Sequence, residues 1–199
     1  MGDLGVWDPL NPSNGMELLS ELTVPWWVAG GWAIDLFYGA QTRPHGDFDI
    51  EVLRRDHQTV RRFMVEWDIH TAKDGQLEPW PLETPLLDDV NSVWCRPEAD
   101  APWQLQIMFA LTDDELWLYR RDPRVTRSIK EIGYRTIDGI PVLCPEIQLL
   151  YKSTRPQRAQ NEHDFRLIRP TLEPEQRAWL ADALELSSPG HPWVPSLRD

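Results

Sequence analysis

GGWAIDLFYGAQTRPHGDFDIEV, residues 30–52, carries a turn, a helix, a loop and a strand in one short run. The preceding VPWWVA, Val24 to Ala29, is a β-rich stretch that Gly30-Gly31 ends. Trp32 to Tyr38 has helical apolar spacing and stops at Gly39. Asp47 to Leu53 then alternates strictly, which predicts a strand with Phe48, Ile50 and Val52 facing one way and Asp47, Asp49 and Glu51 the other. Glycines after a strand let backbone approach a phosphate closely, and the helix that follows favours an anion at its N-terminus. Two carboxylates on one strand face concentrate negative charge that a hard cation such as Mg²⁺ neutralises, usually together with substrate phosphates. Taken alone, a Gly-Gly pair is a turn and an Asp-x-Asp a solvated strand; their order and spacing make the combination specific.

Outward from this segment, residues 1–14 are rich in Gly, Pro, Asn and Asp and read as a loosely attached arm. Met16 to Leu22 reads as a short helix capped by Asn14. Arg54 to Phe63 reads as a helix with a strand over Met64 to His70, and residues 71–100 read as irregular. Trp103 to Phe109 (WQLQIMF) and Leu116 to Arg120 are strands, and Tyr134 to Val142 a hairpin about Asp138-Gly139. The character changes at Pro145-Glu146, a good helix start, after which two or three helices follow. The organisation expected is therefore an α/β domain over 1–144 and a helical C-terminal region over 145–199 packed on it.

Of 199 residues, 41% are hydrophobic, enough for a folded core. Thirty-two acidic residues against 20 basic give a net charge of −12, which opposes binding a nucleic acid through its backbone. A nucleotide still suits an acidic protein when Mg²⁺ sits between carboxylates and phosphates. No run is long and apolar enough to predict a membrane span, and Met1–Gly5 has no signal-peptide pattern. Cys95 and Cys144 read as reduced thiols, so a cytoplasmic location is expected. No histidine pair has zinc spacing.

GGWAID, with Gly39, Arg43, His45 and the Asp-x-Asp-Ile of Asp47 to Ile50, resembles the signature of small antibiotic-modifying nucleotidyltransferases, the aminoglycoside and lincosamide branches. The resemblance covers about a quarter of the chain closely. It implies a polymerase-β-like nucleotidyltransferase fold of α+β class, a mixed sheet flanked by helices. It also implies transfer of a nucleoside monophosphate, AMP from ATP in the first instance, to a hydroxyl of a small molecule with release of pyrophosphate. On this basis Gly30, Gly31, Arg43, His45 and Lys152 are the nucleotide-binding candidates, and Asp47 and Asp49 the catalytic, Mg²⁺-binding pair. Arg43 suits a triphosphate, since a guanidinium pairs phosphate oxygens bidentately, and it equally suits a loop anchor. Asp35 matches as well, in a helical position that suits packing.

One position departs from the pattern. Members carry a third carboxylate on a neighbouring strand, and the matched position in WQLQIMF is Gln106. A glutamine amide oxygen ligates a cation without charge and is no general base. Glu51 on the Asp47/Asp49 face, and Asp113 and Asp114 in the next turn, are the other acids within reach. Three readings follow: a small-molecule nucleotidyltransferase, a catalytically impaired nucleotide-binding regulator, and a transferase acting on RNA or protein. Two further features stand out, 11 tryptophans and a basic cluster of Arg120, Arg121, Arg124 and Arg127. The tryptophans read first as packing and second as an aromatic cleft for a ring-bearing acceptor.

Overall fold

A computed structural model describes residues 5–199; the signal-peptide reading at the N-terminus lies almost wholly outside them. The strands are β1 (Trp26–Val28), β2 (Asp49–Leu53), β3 (Asp68–Lys73), β4 (Gln76–Pro79), β5 (Ser92–Arg96), β6 (Leu105–Asp113), β7 (Leu116–Leu118), β8 (Thr126–Ser128), β9 (Gly133–Arg135) and β10 (Pro141–Leu143). They form one mixed sheet in the order β4-β3-β5-β6-β2-β1-β10-β9, with β7 and β8 added at the far end of β6. The β2–β6 and β1–β10 pairs are parallel and the others antiparallel. The helices are α1 (Pro12–Leu18), α2 (Gly30–Tyr38), α3 (His57–Phe63), α4 (Pro145–Lys152), α5 (Ala159–Ile168), α6 (Pro174–Ser187) and α7 (Val194–Arg198). The α+β class expected from the sequence is the observed one.

Strand β2 separates two environments. Phe48, Ile50 and Val52 are fully buried in an apolar cluster with Val28, Ile107 and Phe109, closed by α1 and α3. A second apolar cluster joins Ile34, Leu143 and Trp117 to Ile147, Leu150, Phe165 and Leu184 of the C-terminal helices. Helix α4 starts two residues after β10 with Pro145 at its first turn, and α2, α5 and α6 pack against it.

Several elements differ from the sequence expectations. Strand β2 begins at Asp49, and Asp47 lies just before it, exposed. The N-terminal arm is docked: Trp7 bridges Trp103 in parallel, and the Asp8 and Leu10 amides donate to the carbonyls of Trp103 and Gln104, each at 3.0 Å. Helix α1 starts earlier than expected because Asn11 caps it, accepting from the Asn14 amide, with Pro12 in the first turn. The strand expected over Met64–His70 is shifted to Asp68–Lys73, because α3 unwinds only at Met64. Residues 71–100 contain β4 and β5. The β3–β4 hairpin turn is Asp74-Gly75, both at positive φ, a signal outweighed by the surrounding prolines and acids. Four helices, not two or three, follow Pro145.

Candidate functional site

Polar groups meet where β1 hands over to α2. Gly30 has φ +66°, and a Cβ there would collide with the Asp49 carboxylate; one at Gly31 would collide with the His45 ring and the Arg43 guanidinium. The two glycines thus fit because three polar side chains are pressed against their backbone. The Gly30 amide donates to Gln148 Oε1 of α4 at 3.0 Å, which ties the turn to the C-terminal helices.

The loop between α2 and β2 is held by a closed polar network. His45 Nε2 lies 2.5 Å from Asp35 Oδ2, and Thr42 donates to the other Asp35 oxygen at 2.6 Å. Arg43 contacts His45 Nδ1 at 3.1 Å and makes a bidentate pair with Asp164 of α5, at 3.2 and 3.1 Å. Lys152 closes the set at 2.8 Å from Asp164 Oδ2. His45 also packs on Trp32, ring centroids 4.4 Å apart. The Asp164 carboxyl is inaccessible; burial alone would raise its pKa, but Arg43 and Lys152 hold it below the ordinary carboxylate range.

Asp49 is the opposite case. Its Oδ1 is buried and has no hydrogen-bond partner. Burial first, then the neighbouring Asp47 charge, push its pKa up to about 7, with Lys152 opposing. Register places Gln106 of β6 directly across from Asp49, and Met108 across from Glu51. Glu51 is 2% exposed and accepts from Trp117 Nε1 at 3.2 Å; burial pushes its pKa to about 7. Asp113 ends β6 and Asp114 sits in the β6–β7 turn, both outside the cleft lining.

Asp49 and Glu51 lie in a cleft of about 360 Å³. One wall, from β5 and β6, is uncharged: Asn91, Ser92, Gln106, Met108 and Phe109. The other is cationic: Arg120, Arg121, Lys152, Arg155 and Arg158. Of the basic cluster read in the sequence, Arg124 is committed to Asp122 and Arg127 to Glu146, and neither lines the cleft. Tryptophans 80, 103 and 193 are buried packing residues.

The sequence candidates therefore fall into two groups. Gly30, Asp49, Glu51, Gln106 and Lys152 share the cleft, while Arg43 and His45 stand behind the glycine turn in the closed network. Asp47 lies outside the cleft lining, within electrostatic reach of Asp49. Sequence reasoning missed Asp164, Gln148, Arg155 and Arg158. The first two carry no local signal, since their roles come from helices packing more than a hundred residues from the turn they support.

Among the described residues, no three His, Cys, Asp or Glu side chains converge as a complete metal site. An all-oxygen pair with one unpartnered buried carboxylate oxygen fits Mg²⁺, which takes one or two carboxylates and completes its shell with substrate phosphates and water. No helix of the described residues is long and apolar enough to cross a membrane.

A family model described as aminoglycoside-2''-adenylyltransferase matches residues 14–168. A lincosamide resistance protein of Staphylococcus haemolyticus is 26% identical over 96 residues, covering 42% of this chain and 58% of that relative. The match thus spans less than two thirds of the relative's length. Two solved structures share the fold. The lincosamide antibiotic adenylyltransferase LnuA, lincomycin-bound, is 19% identical with a TM-score of 0.55 over 84% of this chain and 99% of its own. ANT(2'')-Ia in complex with adenylyl-2''-tobramycin is 16% identical with a TM-score of 0.55 over 86% and 93%.

Proposed function

The chain belongs to the aminoglycoside-2''-adenylyltransferase family, and from that premise we propose that it transfers AMP from ATP to a hydroxyl of a small molecule, with Mg²⁺. The observation that supports this most directly is Asp49, half-buried, with a buried Oδ1 that has no partner, in a cleft with a cationic wall beside the Gly30 turn.

In this reading Asp47 and Asp49 hold Mg²⁺, which when bound neutralises phosphate charge and orients the triphosphate. Gly30, whose own amide is given to Gln148 Oε1, brings the N-terminus of α2 to the phosphates, and Gly31 offers its backbone there. Arg155 and Arg158, which form no ion pair with a carboxylate among the described residues, and Arg120, whose charge also acts on Glu51, pair phosphate oxygens, and Lys152 adds charge near Asp49. Arg43 and His45 serve the nucleotide by fixing the glycine turn and the approach to Asp49. Gln106 and Glu51 are the two candidates for the third position of the site. The acceptor oxygen bonds to the α-phosphorus as the bond to the α,β-bridging oxygen breaks. The hydroxyl proton passes to water and pyrophosphate leaves. Catalysis of this kind is chiefly positioning and charge stabilisation. The triphosphate and Mg²⁺ requirement supports a cytoplasmic location, and the net charge of −12 supports a small molecule over nucleic acid as acceptor.

Gln106 favours one second reading, a nucleotide-binding protein with little turnover, because the amide brings no charge where a carboxylate would. Thermal shift with each of four triphosphates, with and without Mg²⁺, followed by pyrophosphate release over an acceptor panel, separates the two. Mg²⁺-dependent binding with release supports the transferase. Binding without release supports the second reading, and no binding removes both.

A further inference from the structure

Strands β1 and β10 pair in parallel, Val28 beside Val142, so the helices that follow them start side by side, α2 at Gly30 and α4 at Pro145. That places Gln148, near the start of α4, against the β1–α2 turn, where it is 4% exposed and lines the cleft. The Gly30 amide can only donate. The carboxamide atom 3.0 Å from it is therefore the oxygen, and this bond fixes which way round the Gln148 amide sits. Its Nε2 has no hydrogen-bond partner among the described residues, Asp49 Oδ1 included, and it is not sealed from solvent. Two protons are thus offered to the cleft beside the Gly30 backbone.

Asn161, the other buried amide side chain in the cleft lining, is set the opposite way. Its Nδ2 donates to the carbonyls of Lys152 and Arg155, at 2.9 and 3.0 Å, so the oxygen is its free end. An ionised phosphate accepts hydrogen bonds and does not donate them, so it suits Gln148 and not Asn161. Lys152 stands four residues after Gln148, hence on the same face of α4, and its charge acts on Asp49. An uncharged donor and a cation therefore lie in line beside the glycine turn. That set fits the two phosphates of a triphosphate that carry most of its charge, those that leave as pyrophosphate.

We propose that Gln148 is a nucleotide-binding residue that acts through both ends of its amide: Oε1 holds the Gly30 backbone, and Nε2 donates to a phosphate oxygen of the pyrophosphate leaving group. The hydrogen bond that Gly30 no longer offers to the phosphates is supplied by the side chain that took it. This rests on the transferase reading and adds to it an uncharged residue that grips the substrate from the C-terminal region.

The test uses nuclear magnetic resonance of the full chain labelled with ¹⁵N, the Gln148 side-chain amide signal being identified by its loss in Gln148→Met or Gln148→Glu. On adding Mg²⁺ with ATP, or with inorganic pyrophosphate, that signal should shift downfield and its protons should exchange with water more slowly. AMP should leave it in place. By calorimetry, Gln148→Met should bind both ligands about 10–100-fold more weakly, the range for a hydrogen bond to a charged acceptor, and should open the Gly30 amide to hydrogen exchange. Gln148→Glu keeps an oxygen for Gly30, so it should leave that amide protected while weakening both ligands at least as much. Binding that leaves the wild-type Gln148 signal unmoved, or Gln148→Met binding as tightly as wild type, overturns the proposal and leaves the transferase reading standing. Wild type that binds neither ATP nor pyrophosphate with Mg²⁺ removes the transferase reading and the proposal together.

Discussion

Two clusters of charged side chains flank the Gly30-Gly31 turn, and they are built on opposite terms. Behind the turn, Asp35, His45, Arg43, Asp164 and Lys152 form a chain in which each carboxylate meets a partner at 2.5–3.2 Å. In front of it, Asp49 keeps a buried oxygen without a partner, across from an uncharged Gln106. A buried ion is costly unless paired, so the closed chain is scaffold: it fixes loop, turn and C-terminal helices as one body. The same cost at Asp49 is left standing, offset only in part by Lys152, and a cation with its phosphates would remove it. Charge satisfied within the chain positions the site; charge left unsatisfied awaits a ligand.

That contrast can be broken from the scaffold side first. Asp164→Ala leaves Arg43 and Lys152 without their shared partner in a buried setting and should cost about 3–5 kcal/mol of stability, read as a lowered denaturant midpoint. The site side offers the next effect. Gln106→Asp places a carboxylate directly across from Asp49 and should leave Mg²⁺-dependent triphosphate binding equal or tighter. It should also raise pyrophosphate release with a competent acceptor by about 10²-fold, the low end of what a positioned acid–base group supplies. A drop in release, with Glu51→Gln abolishing it, would instead make Glu51 the third acid. Smaller still, Arg43→Lys keeps charge but loses the fork on Asp164, and should cost about 1–2 kcal/mol with a loosened glycine turn. Chemical denaturation read alongside nucleotide affinity separates the two consequences.

Acid titration sharpens the same point. The Asp164 pKa is lowered in the folded protein, so its contribution to stability is present above the unfolded carboxylate pKa and lost as pH falls through the folded value. Asp164→Asn should flatten that acid limb of the stability curve. An unchanged acid limb would mean the pair contributes no net stability.

The legible part of the molecule was the part whose signals are local. Gly30-Gly31, the helix ending at Gly39 and the alternation of Phe48, Ile50 and Val52 all lie within one short segment, the same one that carries the family resemblance implying the fold. The hairpin about Asp138-Gly139 was equally local. Opaque parts depended on distant partners. Nothing near Asp164 in its helix announces that it pairs with Arg43, and Gln148 gives no hint that it receives the Gly30 amide. The arm at residues 5–11 reads as loose by composition, yet its backbone adds to the Trp103–Gln104 edge. The change of character at Pro145 is visible in sequence. We propose that the region after it belongs to the same working unit, since α4 and the segment leading to α5 supply Lys152, Arg155 and Arg158 to the cationic wall of the cleft.

The central claim, that Asp49 is held ready for a cation carrying a triphosphate, is tested most directly by calorimetry of ATP binding to wild type and Asp49→Asn, with Mg²⁺ and with chelator. Wild type should bind ATP measurably only with Mg²⁺, and Asp49→Asn should lose that dependence and the binding with it. Equal affinity with and without Mg²⁺, or Mg²⁺-dependent binding that survives Asp49→Asn unchanged, would contradict the account.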